Sequence, residues 1–128
     1  MMSEDLIVRA ENPAEQAKLL QDQAAPLQAS ESNVSYSVNL GVHEGDFILN
    51  WSVTPQVYGR WDWVGVFENA ENAQNDPSGT YKYGGWQWAD AGSPYSTSIT
   101  ANDGCVIAYI VWNYGTKSYQ AVAISAPY

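Results

Sequence analysis

The chain is poor in the residues that most chemistry is built from. It has one cysteine, Cys105, and one histidine, His43, among 128 residues. A single cysteine excludes an internal disulfide. One histidine cannot form a His-rich zinc site, and no Cys/His spacing supports another metal arrangement. Basic residues are scarce as well: five Lys and Arg stand against 14 Asp and Glu, for a net charge of −9. Nucleic-acid binding needs clustered cations to neutralise phosphates, so that class is disfavoured, as is an anionic membrane surface. No apolar run approaches the roughly 18 residues of a membrane span. The acidic N-terminus has no apolar signal-peptide core. The expectation is a protein of a reducing compartment such as the cytoplasm, or one released without a classical signal.

What is present is β-like and aromatic. Six Trp and nine Tyr far outnumber two Phe. Trp and Tyr suit strands, and they also suit half-exposed binding surfaces, where an apolar body carries a polar tip. From Val34 onward a period of two sets in. Val34, Tyr36, Val38, Leu40 and Val42 alternate with Ser35, Ser37, Asn39 and Gly41. The pattern predicts a strand with one buried and one wet face. His43 to Asp46 forms a turn signal, and Phe47 to Val53 resumes the alternation, which predicts a hairpin. Trp61 to Phe67 carries apolar bulk on both faces, as expected of a central strand covered on both sides. Further strands are expected over Thr80–Ala89 (interrupted at Gly84-Gly85), Tyr95–Thr100, Cys105–Trp112 and Ser118–Ser125, with a polar loop over Glu68–Gly79. Roughly seven strands with turn signals about every 8–12 residues predict an all-β antiparallel sandwich over residues 34–128.

Residues 1–33 are different, with six acidic and two basic residues and no aromatic. Leu6-Ile7-Val8 reads as a short edge strand. Asn12, Pro13 and Glu15 match the cap, first position and capping-box position of a helix, expected to run to about Ala25. Its apolar stripe, Ala17, Leu20, Ala24 and Leu27, is thin. The segment is expected to be a short helix laid on the domain, an arm that reaches a neighbouring subunit, or a disordered tail.

The hexapeptide Asp62-Trp63-Val64-Gly65-Val66-Phe67 resembles the D-W-[IV]-G-[LVI]-[FY] segment of SKICH-type domains. Similar segments occur in the immunoglobulin-like N-terminal domains of plant-type purple acid phosphatases. Phe47–Pro55, Thr80–Trp88, Tyr119-Gln120 and Ser125-Ala126-Pro127-Tyr128 extend the likeness across residues 34–128. The Glu68–Gly79 loop and the Gly84-Gly85 insertion depart from it. The resemblance implies an immunoglobulin-like fold and a recognition or accessory module without catalytic residues.

No residue set identifies a reaction. His43 lies in a turn and lacks a G-x-S-x-G nucleophile elbow to serve. Cys105 sits in an apolar run, where a thiol reacts poorly. Asp62, Asp90, Asp103 and Glu44 could supply a glycosidase pair only if the fold brought two of them together. Asp62, between two tryptophans, is expected to fasten a neighbouring loop backbone. Asn72, Asn75 and Asp76 are oxygen donors for calcium, without the D-x-D-x-D-G loop. Neither metal nor cofactor is expected, and no catalytic residue is assigned. The sharper proposal is a lectin-like aromatic platform. It comprises Trp61, Tyr81, Tyr83, Trp86 and Trp88 for stacking on a sugar face, with Asp90 for its hydroxyls. A glycan or protein ligand is the expected partner, bound by an assembly of several copies, since multivalency raises weak sugar affinity.

Overall fold

A computed structural model describes residues 9–23 and 34–128. The expected edge strand Leu6–Val8 and the stripe residues Ala24 and Leu27 lie outside them. Seven strands form two antiparallel sheets. The first sheet contains β1 (Ser35–His43), β2 (Asp46–Thr54) and β5 (Tyr95–Thr100), in the order β1-β2-β5. The second contains β3 (Trp63–Phe67), β4 (Trp86–Trp88), β6 (Val106–Asn113) and β7 (Ser118–Ile124), in the order β4-β3-β6-β7. The chain crosses between sheets after β2, β4 and β5, as in immunoglobulin-like sandwiches.

The hairpin β1–β2 pairs in continuous register from Ser35 opposite Thr54 to His43 opposite Asp46. Its turn needs two left-handed residues, and Glu44 (φ 53°) and Gly45 (φ 88°) supply them. This alternation sends Phe47, Leu49, Trp51 and Val53 inward, where they meet Val64, Val66, Ile107 and Tyr109 of the second sheet. That is the first core.

A second core covers the far side of the second sheet. Trp61, Trp63, Phe67, Ala108, Ile110, Trp112 and Tyr119 pack there with Leu20 and Ala73. Leu20 belongs to helix α1 (Pro13–Leu20), and Ala73 to α2 (Ala70–Asn75). β3 is therefore buried on both faces, and every one of its five residues is inaccessible. The gap that Gly65 leaves is filled by its neighbour: a Cβ on Gly65 would lie 2.7 Å from the Trp63 ring.

Three expectations need correction. Glu68–Gly79 is not a loop but carries α2 and a second short helix, α3 (Pro77–Thr80). Asn69 starts α2 by accepting from the Asn72 N–H at 2.8 Å, and Pro77 opens α3 with a preset φ. The Thr80–Ala89 strand shrinks to Trp86–Trp88. Before it, the chain turns at Gly84 (φ 79°), while Lys82 N–H donates to the Val66 carbonyl and Gly85 carbonyl accepts from Val66 N–H. Helix α1 stops at Leu20, before Ala25. Its start is as expected, with Asn12 accepting from the Glu15 N–H at 2.8 Å.

Candidate functional site

The aromatic platform is largely core. Trp61 is 3 % exposed and Trp88, beneath the Arg9 guanidinium, 8 %, so neither is open to solvent. Trp51, Trp63 and Trp112 are buried too, which leaves Trp86 as the one half-buried tryptophan. Trp61 was expected at the mouth of a strand. It lies instead in the turn before β3, and its ring joins the second core beneath the Arg60 guanidinium, 5.2 Å from the ring centroid. Burial of so much aromatic surface needs edge-to-face packing. Trp63 meets Tyr81 at 70° and Tyr119 at 80°, and Trp86 meets Trp88 at 85°. The indole N–H groups of Trp61, Trp63 and Trp112 have no oxygen partner among the described residues. Trp63 and Trp112 each meet the Tyr119 ring at a steep angle, 80° and 81°.

Of the six expected contacts, Tyr81 and Trp86 remain half-buried side by side, their centroids 6.4 Å apart. Tyr83 stands 96 % exposed on the turn between them. Asp90 is exposed but occupied: its two oxygens accept from Arg9 at 2.9 and 2.7 Å. Asp62 fastens its loop as expected, accepting from the Gly59 N–H at 2.9 Å. It also accepts from the buried Tyr109 hydroxyl at 2.7 Å. Burial and this carboxylate push the Tyr109 phenol far above its ordinary range. Cys105 is buried and its thiol pushed up by desolvation, which suits packing rather than attack. Among the described residues, no three His, Cys, Asp or Glu side chains converge as a metal site needs. Nor is any described helix long and apolar enough to cross a membrane.

A different surface has the properties of a site. With the second sheet covered by α1 and α2, the outer face of the first sheet is the open one among the described residues. β1 presents Ser35, Ser37, Asn39 and Gly41 there, and β2 presents Ile48, Asn50, Ser52 and Thr54. β5 adds Ser96, Ser98 and Thr100. Among the described residues the one charged side chain on this face is Asp46, at the end where it faces His43. A depression of about 220 Å³ is lined by Ser37, Asn39, Asn50, Trp51 and Ser52. Its floor is rigid. Trp51 points inward and donates from its indole to the Ala89 carbonyl at 3.0 Å, while its N–H donates to the Ser93 hydroxyl at 3.0 Å.

Asn39 faces Asn50 and Ser37 faces Ser52 across the ladder, which sets two amides beside two hydroxyls. Asn50 donates one amide hydrogen to the Asn39 carbonyl at 3.3 Å. The side chains of Ser37, Asn39 and Ser52 make no hydrogen bond among the described residues. Each of these groups can both donate and accept. The depression is smaller than the roughly 300 Å³ at which pockets for drug-sized ligands begin, so it suits one small polar ring. The sequence did carry this signal, as the wet half of the β1 and β2 alternation, but a solvated face has the same pattern.

Comparison of the chain with protein-family models, with curated proteins and with solved structures finds no match.

Proposed function

We propose that the protein is a non-catalytic, lectin-like module that holds a sugar ring on the outer face of its first sheet. One observation carries the reading. A chain of net charge −9 keeps the described outer face of its first sheet free of charged side chains except Asp46 at one end, and lines a depression there with Ser37, Asn39, Asn50 and Ser52. A neutral polyol needs groups that donate and accept at fixed spacing and gains nothing from full charges. Paired Asn and Ser side chains on a ladder provide that. A shallow site of this size gives weak affinity, and presentation by several copies would raise it. Trp86 lies on the other sheet, with Tyr83 on the turn before it, and the two form a secondary aromatic surface in this reading. A glycan array probed with the folded full chain tests it; a blank array contradicts it.

A second reading, a protein-recognition module in the manner of SKICH-type domains, draws on the edge of β1. Nine residues long, β1 pairs with β2 on one side only among the described residues. It carries no Lys or Pro to blunt the free side. An added strand from a partner would extend the sheet there. Absence of any specific partner in a pull-down counts against this reading.

A further inference from the structure

Arg9 stands where a ligand would lie. Its guanidinium carbon is 4.9 Å from the centroid of the Trp88 ring. Nη1 and Nη2 donate to the two oxygens of Asp90, at 2.9 and 2.7 Å. Nε donates to the Arg60 carbonyl at 3.1 Å, and Nη2 shares that carbonyl. All three nitrogens are engaged by a bidentate carboxylate, a carbonyl and an aromatic face. That set fits a planar fork of donors and not a compact ammonium.

The three parts of this socket come from the sandwich. Arg60 precedes the turn into β3, Trp88 ends β4, and Asp90 lies in the 3-10 turn that follows. The socket is anchored independently of Arg9: the Ala89 N–H between Trp88 and Asp90 donates to the Asp62 carbonyl at 2.9 Å. Only the occupant comes from the N-terminal segment. In α1 only Pro13, Gln16 and Leu20 are buried, Leu19 is half exposed, and Gln16 Nε2 is buried without a partner among the described residues. A socket built by the sandwich is thus filled by a side chain of the separate N-terminal segment.

We infer that Trp88, Asp90 and the Arg60 carbonyl form an arginine-binding site, which Arg9 fills in cis and which accepts an arginine of a basic polypeptide partner in trans. The strongly acidic chain attracts such a partner, and the tether gives Arg9 a high effective concentration that the partner must overcome. This site is separate from the sugar face and stands or falls independently of it.

The test uses the full chain with Arg9→Ala, titrated with N-acetyl-arginine amide and with the matched lysine compound. Binding is followed by NMR at the Trp88 indole N–H and the Asp90 amide. The arginine compound should saturate these shifts and bind about tenfold or more tightly than the lysine compound, the weight of one charge-assisted hydrogen bond. It should bind the unaltered chain about tenfold or more weakly, because Arg9 competes. Adding Asp90→Asn to the variant should abolish the preference for arginine. Should Arg9→Ala not fold, Arg9→Gln is measured in the same way. Equal response to both compounds, or no saturable shift, would show that Arg9 is a structural tie and overturn the inference.

Discussion

Arg9 and Asp90 are 81 residues apart in sequence and joined by two parallel hydrogen bonds at 2.9 and 2.7 Å. The pair ties the N-terminal segment to the sandwich at one end of α1. At the other end, Gln21 Nε2 donates to the Lys117 carbonyl at 2.9 Å, and Lys117 Nζ donates to the Gln21 carbonyl at 2.7 Å. Between them the Tyr119 hydroxyl donates to the Pro13 carbonyl at 3.0 Å.

Arg9→Lys should therefore cost more than a surface ion pair does. Lysine keeps the charge but loses the fork and the stacking. The pair is partly exposed, with side-chain exposures of 23 % and 41 %, so the loss should be modest, about 0.5–1.5 kcal/mol. Urea unfolding of both proteins measures it, and amide exchange in α1 should rise in the variant.

Gly65→Ala should be more damaging. The added methyl meets the Trp63 ring at 2.7 Å, and that ring is fully buried among Phe67, Tyr81 and Tyr119. Trp63 cannot move without displacing the second core. A loss of about 1–3 kcal/mol is expected, as for other overpacked sites. Gly41→Ala, where a Cβ would meet only ordinary contacts of 3.4 Å or more, is the control. Equal losses from the two would contradict the packing described.

Stability should fall in alkali. Tyr109 and Tyr119 have phenol pKa values raised by burial, Tyr109 also by the Asp62 carboxylate. A folded pKa above the unfolded one favours folding fully below the unfolded value, about 10, and that contribution is lost as pH rises toward the folded value. Each such tyrosine steepens the fall by up to about 1.4 kcal/mol per pH unit above 10. Denaturant midpoints between neutral and alkaline pH measure it. Tyr109→Phe should be less stable at neutral pH, because Asp62 loses a partner, and should show a shallower alkaline slope.

Much of this was legible in the residues. Alternation in Val34–Val42 and Phe47–Val53 specified the first hairpin, and bulk on both faces of Trp61–Phe67 specified a strand covered on both sides, which begins two residues later, at Trp63. α2 and α3 were not legible, since Glu68–Gly79 has no apolar periodicity and only Ala73 and Pro77 are buried in these helices. The fate of the tryptophans was hidden for another reason. Whether Trp61 or Trp88 stacks on a ligand or on the core depends on α1, α2 and Arg9 arriving from distant parts of the chain. Asn39 and Asn50 belong to the polar half of two alternating strands, and nothing in a strand pattern tells water from a ligand.

The most direct test of the sugar site is an NMR titration of the labelled full chain with the best sugar from the array. Shifts should centre on Ser37, Asn39, Asn50 and Ser52. Asn50→Ala should weaken binding about tenfold, as for a lost pair of hydrogen bonds, with the unfolding midpoint unchanged. Shifts centred on Tyr81, Tyr83 and Trp86, with Asn50→Ala binding as well as the unaltered chain, would contradict it.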